Sequence, residues 1–387
     1  MLFSLFHPYR RAPLLSLCWL FIFSSATVDG AIVRGLYDAK VEVSEQTEKA
    51  QLSAARAALR LVLIKVSGSR DIVEHQDIRQ KLRSASDFMR AYRFDSQDGK
   101  LFYLASFDSQ KIDKLIMEAG FPIWDSRRPD SLLWLAIEDP NSLQRSILAE
   151  GKHDELLEPA NQVANSRGIK ITFPLMDLDD LQQINLYDIW GRFSHIIESA
   201  SQRYAPDIIM SARFYQGKSQ LAADLPENAE ENEEENGDSQ AIDEGAFQPW
   251  RADWLLLNNG SIESGQLSAG DSAELSQLLV ELLADKLASQ YAVDNKALSA
   301  IANKVQLKVI NIESLAAYVE VARFLSSLTL VSKTTLVKQW GSEATFELEV
   351  FGQEADLVNA LLLDKKLSAK LDDFGLPGTQ LEFVWAP

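Results

Sequence analysis

Between residues 130 and 216 the chain repeats one pattern: a short apolar run, an amphipathic stretch, then another apolar run. Residues 132–137 read Leu-Leu-Trp-Leu-Ala-Ile. With no polar position, they suit a strand covered on both faces. A helix is predicted over 153–166, closed by Gly168, and strand 169–173 follows. Residues 186–203 read as mostly helix and 207–214 as a third strand. A β-α-β-α-β order admits few topologies, and a three-stranded parallel core with right-handed crossovers satisfies it. Trp250, Ala252, Trp254 and Leu256 then alternate with polar residues, Asn259-Gly260 signals a hairpin, and 273–291 is an amphipathic helix. Residues 130–292 are therefore read as a Rossmann-like β-α-β-α-β-β-β-α middle domain.

The flanks give two smaller modules, and 387 residues suit two or three domains. Residues 31–121 predict a β-α-α-β-α domain. Its strand lies within 32–43, its helices over 47–66, 77–91 and 110–119, and its second strand over 101–107. Residues 303–387 predict β-α-β-β-α-β, the ferredoxin-like order. The fold class is α+β and α/β, multidomain. Within the middle domain, 222–246 has no apolar periodicity, and 224–244 holds ten carboxylates without Lys or Arg. It is expected to be a disordered acidic loop.

Net charge is −18. That sign opposes nucleic-acid phosphates and anionic lipid, so no nucleic-acid partner is expected. Arg10 and Arg11 precede an apolar stretch at 14–25, which fits a signal peptide cleaved near Gly30 (or after Ala26). Cys18, the only cysteine, lies in that leader, and Leu17 before it argues against lipidation. A mature chain without cysteine excludes disulfides and thiolate metal sites. No later segment is long and apolar enough to span a bilayer, so the expected location is the periplasm.

Candidate chemistry is sparse. Residues 65–70 carry Gly68 and basic ends, but they lack the phosphate-loop spacing and follow a helix, so they read as a helix stop. Ser194 and His195 are adjacent and would not face each other on a helix. The sharpest pointer is the group Asp177, Asp179 and Asp180 just past a strand, with Asp188, Arg128 and Arg203 as possible companions. One reading is a site for a hard cation, a glycan or a small anionic ligand. The other is helix capping and a solvated turn. The lack of a nucleophile–base pair or a second ligand cluster favours capping. No catalytic residue, metal site or cofactor is assigned.

Several segments carry a family resemblance: Leu36-Tyr37, 55–68, 122–124, 128–136, 174–177, 188–191 and 200–204. With them the chain resembles the exported bacterial family called domain of unknown function 2066. The resemblance implies an envelope protein of Gram-negative bacteria and brings no catalytic residues. Looser likenesses are to the first domain of some flagellar and outer-membrane accessory proteins, and to that of the Tol-Pal propeller protein. Both are fold analogies. The expected role is non-enzymatic binding or assembly with envelope proteins as partners. The alternative is a periplasmic glycan- or small-ligand-binding protein or hydrolase using Asp177. A chaperone-like role through apolar surface near Trp124, Trp134 and Trp190 is a third reading.

Overall fold

The computed structural model describes residues 33, 35–217, 248–258, 260–293, 303–328, 330–351, 353–363, 366–370 and 381–386. The expected leader and acidic loop lie outside the described residues. The chain is a multidomain α+β protein, with three sheets among the described residues.

In the first segment, β1 (Asp38–Val43) leads into α1 (Glu48–Ser67). The Thr47 hydroxyl caps α1 by accepting from the Ala50 amide, and Gly68 ends it at φ 71°. Next come α2 (Gln76–Leu82), β2 (Met89–Gln97), β3 (Lys100–Phe107) and α3 (Ser109–Glu118). The sheet order is β1-β3-β2, all antiparallel. The helix expected over 77–91 stops at Leu82. Asp98 and Gly99 both have positive φ and set Gln97 opposite Lys100, so a tight hairpin turns 89–97 into an edge strand. Ala55, Leu59, Val62, Leu63 and Val66 of α1 fill the core against Tyr103, Phe107 and Ile112.

The middle segment runs β4 (Asp130–Glu138), β5 (Arg145–Ile147), α4 (Asp154–Arg167), β6 (Lys170–Thr172), α5 (Leu178–Gln183), α6 (Leu186–Gly191), α7 (Ser194–Ser201), β7 (Ile208–Gln216), β8 (Trp250–Asn258), β9 (Ser261–Ala269) and α8 (Ser272–Tyr291). β6 and β7 both pair parallel to β4, on opposite sides, and β7-β8-β9 continues as an antiparallel meander. β5 was not anticipated and pairs with the end of β4. One face of β4 packs Leu133 and Leu135 against α4 and α8, with Phe214, Leu279 and Leu283. The other packs Leu132 and Trp134 with Ile189, Trp190 and Ile197. This two-sided cover is why the strand has no polar alternation. The helix expected over 186–203 breaks at Arg192, whose φ is 56°.

The last segment runs β10 (Asn303–Ile310), α9 (Leu315–Ser326), β11 (Val331–Trp340), β12 (Glu343–Val350), α10 (Glu354–Leu362), β13 (Leu367–Ala369) and β14 (Glu382–Trp385). The sheet order is β11-β12-β10-β14-β13. This departs from the ferredoxin-like expectation, in which one strand follows the second helix. Here the short β13 reverses the chain, so β14 enters beside β10 and runs parallel to it. Among the described residues no helix is long and apolar enough to cross a membrane.

Candidate functional site

The Asp177 group sits between β6 and α5. Asp177 is the N-cap of α5, and its Oδ1 accepts from the amides of Asp179 and Asp180, each at 3.1 Å. That follows from a short side-chain acceptor placed just before a helix whose first amides lack partners. The Arg203 guanidinium arrives from the turn after α7 and forks onto the same carboxylate, at 2.6 and 2.9 Å. Arg203 also donates to Asp180 Oδ1 at 3.0 Å. Asp180 is buried, and its Oδ2 accepts from the Met176 amide (2.8 Å) and the Tyr204 hydroxyl (2.6 Å). Tyr204 in turn accepts from the Leu175 amide at 2.9 Å. Burial, then the bond to Asp180, pushes the Tyr204 phenol up to about 12. Both carboxylates thus already have cationic or amide donors, and Asp179 lies exposed 3.9 Å from Arg203. The arrangement is a clamp that fixes the loop entering α5, including Met176 at φ 53°.

The clamp has a pH signature. Arg203, then the Asp180 amide, hold the Asp177 carboxyl down from 3.8 to about 2. A depressed folded-state pKa means the unfolded chain protonates first. The contribution of Asp177 is therefore complete above about pH 4 and is lost as pH falls towards 2. Asn caps helices about as well as Asp, so Asp177→Asn removes mainly the charge pairing. The melting-temperature gap between wild type and Asp177→Asn is expected to close between pH 4 and pH 2. A gap that stays constant across that window would show that the pairing contributes nothing.

The other candidates lie apart from the clamp. Asp188 completes a capping box with Asn185 at the start of α6, accepting from the Asn185 amide at 2.9 Å. Arg128 is buried at the junction between the first and middle segments, and its donors all go to main-chain carbonyls. Nε reaches Asp125 (3.0 Å), Nη1 reaches Arg167 (2.7 Å) and Gly168 (3.0 Å), and Nη2 reaches Lys65 (2.6 Å) and Trp124 (3.0 Å). It also stacks on Trp124 at 4.0 Å. α1 and α4 both end here, so their unpaired carbonyls and dipole ends attract the cation. Arg128 is therefore a junction residue. Trp124, Trp134 and Trp190 are all buried, which removes the apolar surface the chaperone-like reading needed. Among the described residues no group of three or more His, Cys, Asp or Glu is placed to hold a metal.

A buried ion pair escaped the sequence reading. Asp253 on β8 is fully buried and accepts from Arg213 on β7, at 3.0 Å from Nε and 2.9 Å from Nη2. The signal was present, because each charge interrupts an apolar strand, and such a charge calls for a partner on a neighbouring strand.

Two family models match the chain, both for domains of unknown function. DUF8605 matches residues 31–125. DUF2066 matches residues 304–373. The second match supports the resemblance to that family, over a small carboxyl-terminal part only. The segments that carried the resemblance in the sequence, within 36–204, lie outside it, and those before residue 125 fall in the DUF8605 match instead. No curated protein matches the chain.

Proposed function

We propose that the protein works in the periplasm by binding other envelope proteins, without catalysis, through the surface of α5 and α6. The observation that carries this is the exposure of large apolar side chains there. Leu178 is 76% exposed and Tyr187 72%, with Leu175, Leu181 and Phe193 also exposed. Leu178 and Leu181 are three apart on α5 and share a face. Soluble proteins rarely leave large apolar side chains grouped at the surface without use. Aromatic and aliphatic anchors held on a fixed backbone are what protein interfaces employ, and the Asp177–Arg203–Tyr204 clamp supplies such a backbone. Export rests on the basic and apolar leader and on a mature chain without cysteine. The ligand reading of Asp177 is weaker, since Arg203 already takes both its carboxylate oxygens.

The test is photocrosslinking in cells from positions 178 and 187, with position 114 on α3 as the control. The same envelope protein should be captured from the first two positions and not from the third. Leu181→Asp should weaken that capture about tenfold or more while changing stability by under about 0.5 kcal/mol. The same capture profile at all three positions would overturn the assignment.

A further inference from the structure

The parallel part of the middle sheet has the order β6-β4-β7. The chain leaves β4 through α4 to reach β6 on one side. It then crosses through α5, α6 and α7 to reach β7 on the other. The connections therefore diverge between β4 and β7, and in open α/β sheets the crevice at the carboxyl ends of such strands is where ligands sit. The Asp177 clamp is at the end of β6, away from that point.

Three arginines come from the elements at this end of the sheet. Arg213 stands on β7 opposite Ala136, two residues before the end of β4. Arg145 on β5 donates to Glu138, the last residue of β4, at 2.7 Å. Arg192 sits at the break between α6 and α7. Trp190 lies among them, with the Arg145 guanidinium 4.0 Å and the Arg213 guanidinium 5.7 Å from its ring. Glu138 compensates Arg145, and Asp253 compensates Arg213. Asp253 is further occupied by Tyr215 and by Gln266, the latter at 2.8 Å.

Arg192 differs. Its Nε is buried without a hydrogen-bond partner, and among the described residues no carboxylate lies within ion-pair distance of it. Burial first, and Arg213 second, lower its pKa, and the opposing pull of Asp253 and Tyr215 does not offset them, so its charge is disfavoured where it stands. Its backbone occupies the left-handed region at φ 56°, which a long side chain rarely adopts and which tends to persist at functional sites. Three guanidiniums share two carboxylates, and guanidinium forks match carboxylate and phosphate oxygens bidentately.

We propose that the crevice between the ends of β4 and β7 is an oxyanion site, in which Arg192, supported by Arg213 and Arg145, binds the carboxylate or phosphate group of a ligand. A bound oxyanion would give Arg192 the ion-pair partner that Glu138 gives Arg145 and Asp253 gives Arg213.

The experiment is calorimetric titration of the full mature chain with inorganic phosphate and, separately, with acetate, against chloride at matched ionic strength. Arg192→Asn is the main variant, since Asn tolerates the left-handed region. Arg145→Gln is the second, in case the first disturbs the α6–α7 break. Saturable binding of either anion beyond chloride, weakened at least about tenfold in both variants, is expected. Phosphate alone would mark a phosphate-bearing ligand, and acetate alone a carboxylate. Binding of neither anion, or equal binding by wild type and both variants, would overturn the proposal. Leu181→Asp should leave anion affinity unchanged, which separates this site from the α5–α6 surface.

Discussion

Arg128→Met is expected to cost about 3–5 kcal/mol, a large share of the stability of an ordinary domain. The arginine fills a space between the ends of α1 and α4 and spends its donors on the carbonyls of Lys65, Trp124, Asp125, Arg167 and Gly168. Methionine keeps much of the volume and none of the donors. Each buried carbonyl left without a partner costs about 1–3 kcal/mol unless water reaches it, and the junction is tightly packed. Arg128→Lys retains a charge but only three donors on a point-like head, so roughly half the loss is expected. The effect should also change the form of unfolding. Other contacts cross the junction: Arg167 donates to Gly68 O at 2.8 Å, the Trp124 amide donates to Val66 O at 2.7 Å, Arg70 bonds Asp285 at 2.8 Å, and Ile123 and Val293 exchange amide–carbonyl bonds at 3.0 and 2.8 Å, but none of these meets the five carbonyls that Arg128 satisfies. Without Arg128, urea unfolding followed separately through the first and middle segments should show two midpoints where the wild type shows one. A loss under about 1 kcal/mol with coincident transitions would mean that water satisfies these carbonyls.

How much of this was legible depends on the range of each interaction. The apolar run at 132–137 announced a strand buried on both faces, because burial on one face would have left alternation. Helix ends at Gly68 and Gly168 were equally local signals. β2 was missed because the helical reading was carried past Leu82, although Tyr92 and Phe94 alternate ahead of Asp98-Gly99. β13 has three residues, too few to show a period of two, and its presence reverses the direction of β14. At the Asp177 group, capping could be read from one residue and the helix after it. Arg203 stands 26 residues away and is brought close only by the packing of α5 against α7. For the same reason Arg128, grouped with Asp177 on sequence alone, belongs to the junction. Arg145, Arg192 and Arg213 share no spacing, and their convergence is a product of strand order.

Gly68→Ala should be the most damaging single-methyl change at the same junction. Gly68 has φ 71°, and the left-handed region costs a residue with a Cβ about 1–2 kcal/mol. A Cβ there would also lie 2.6 Å from the Ala288 methyl and 3.2 Å from the Trp124 ring. Ala288 belongs to α8 and has no rotamer to change, and Trp124 is buried under Arg128. The helices must therefore separate, adding about 1–3 kcal/mol of overpacking. Gly120→Ala isolates the first cost, because φ is 77° there and nothing lies within 4 Å of the new methyl. The expected losses in denaturant unfolding are about 2–5 kcal/mol for Gly68→Ala and about 1–2 kcal/mol for Gly120→Ala. Ala288→Gly in the Gly68→Ala background removes the facing methyl, so the cycle should show a favourable coupling of about 1 kcal/mol or more. Equal losses at the two glycines, with no coupling to Ala288, would mean that only the backbone conformation matters and that α1 and α8 are not held at this distance.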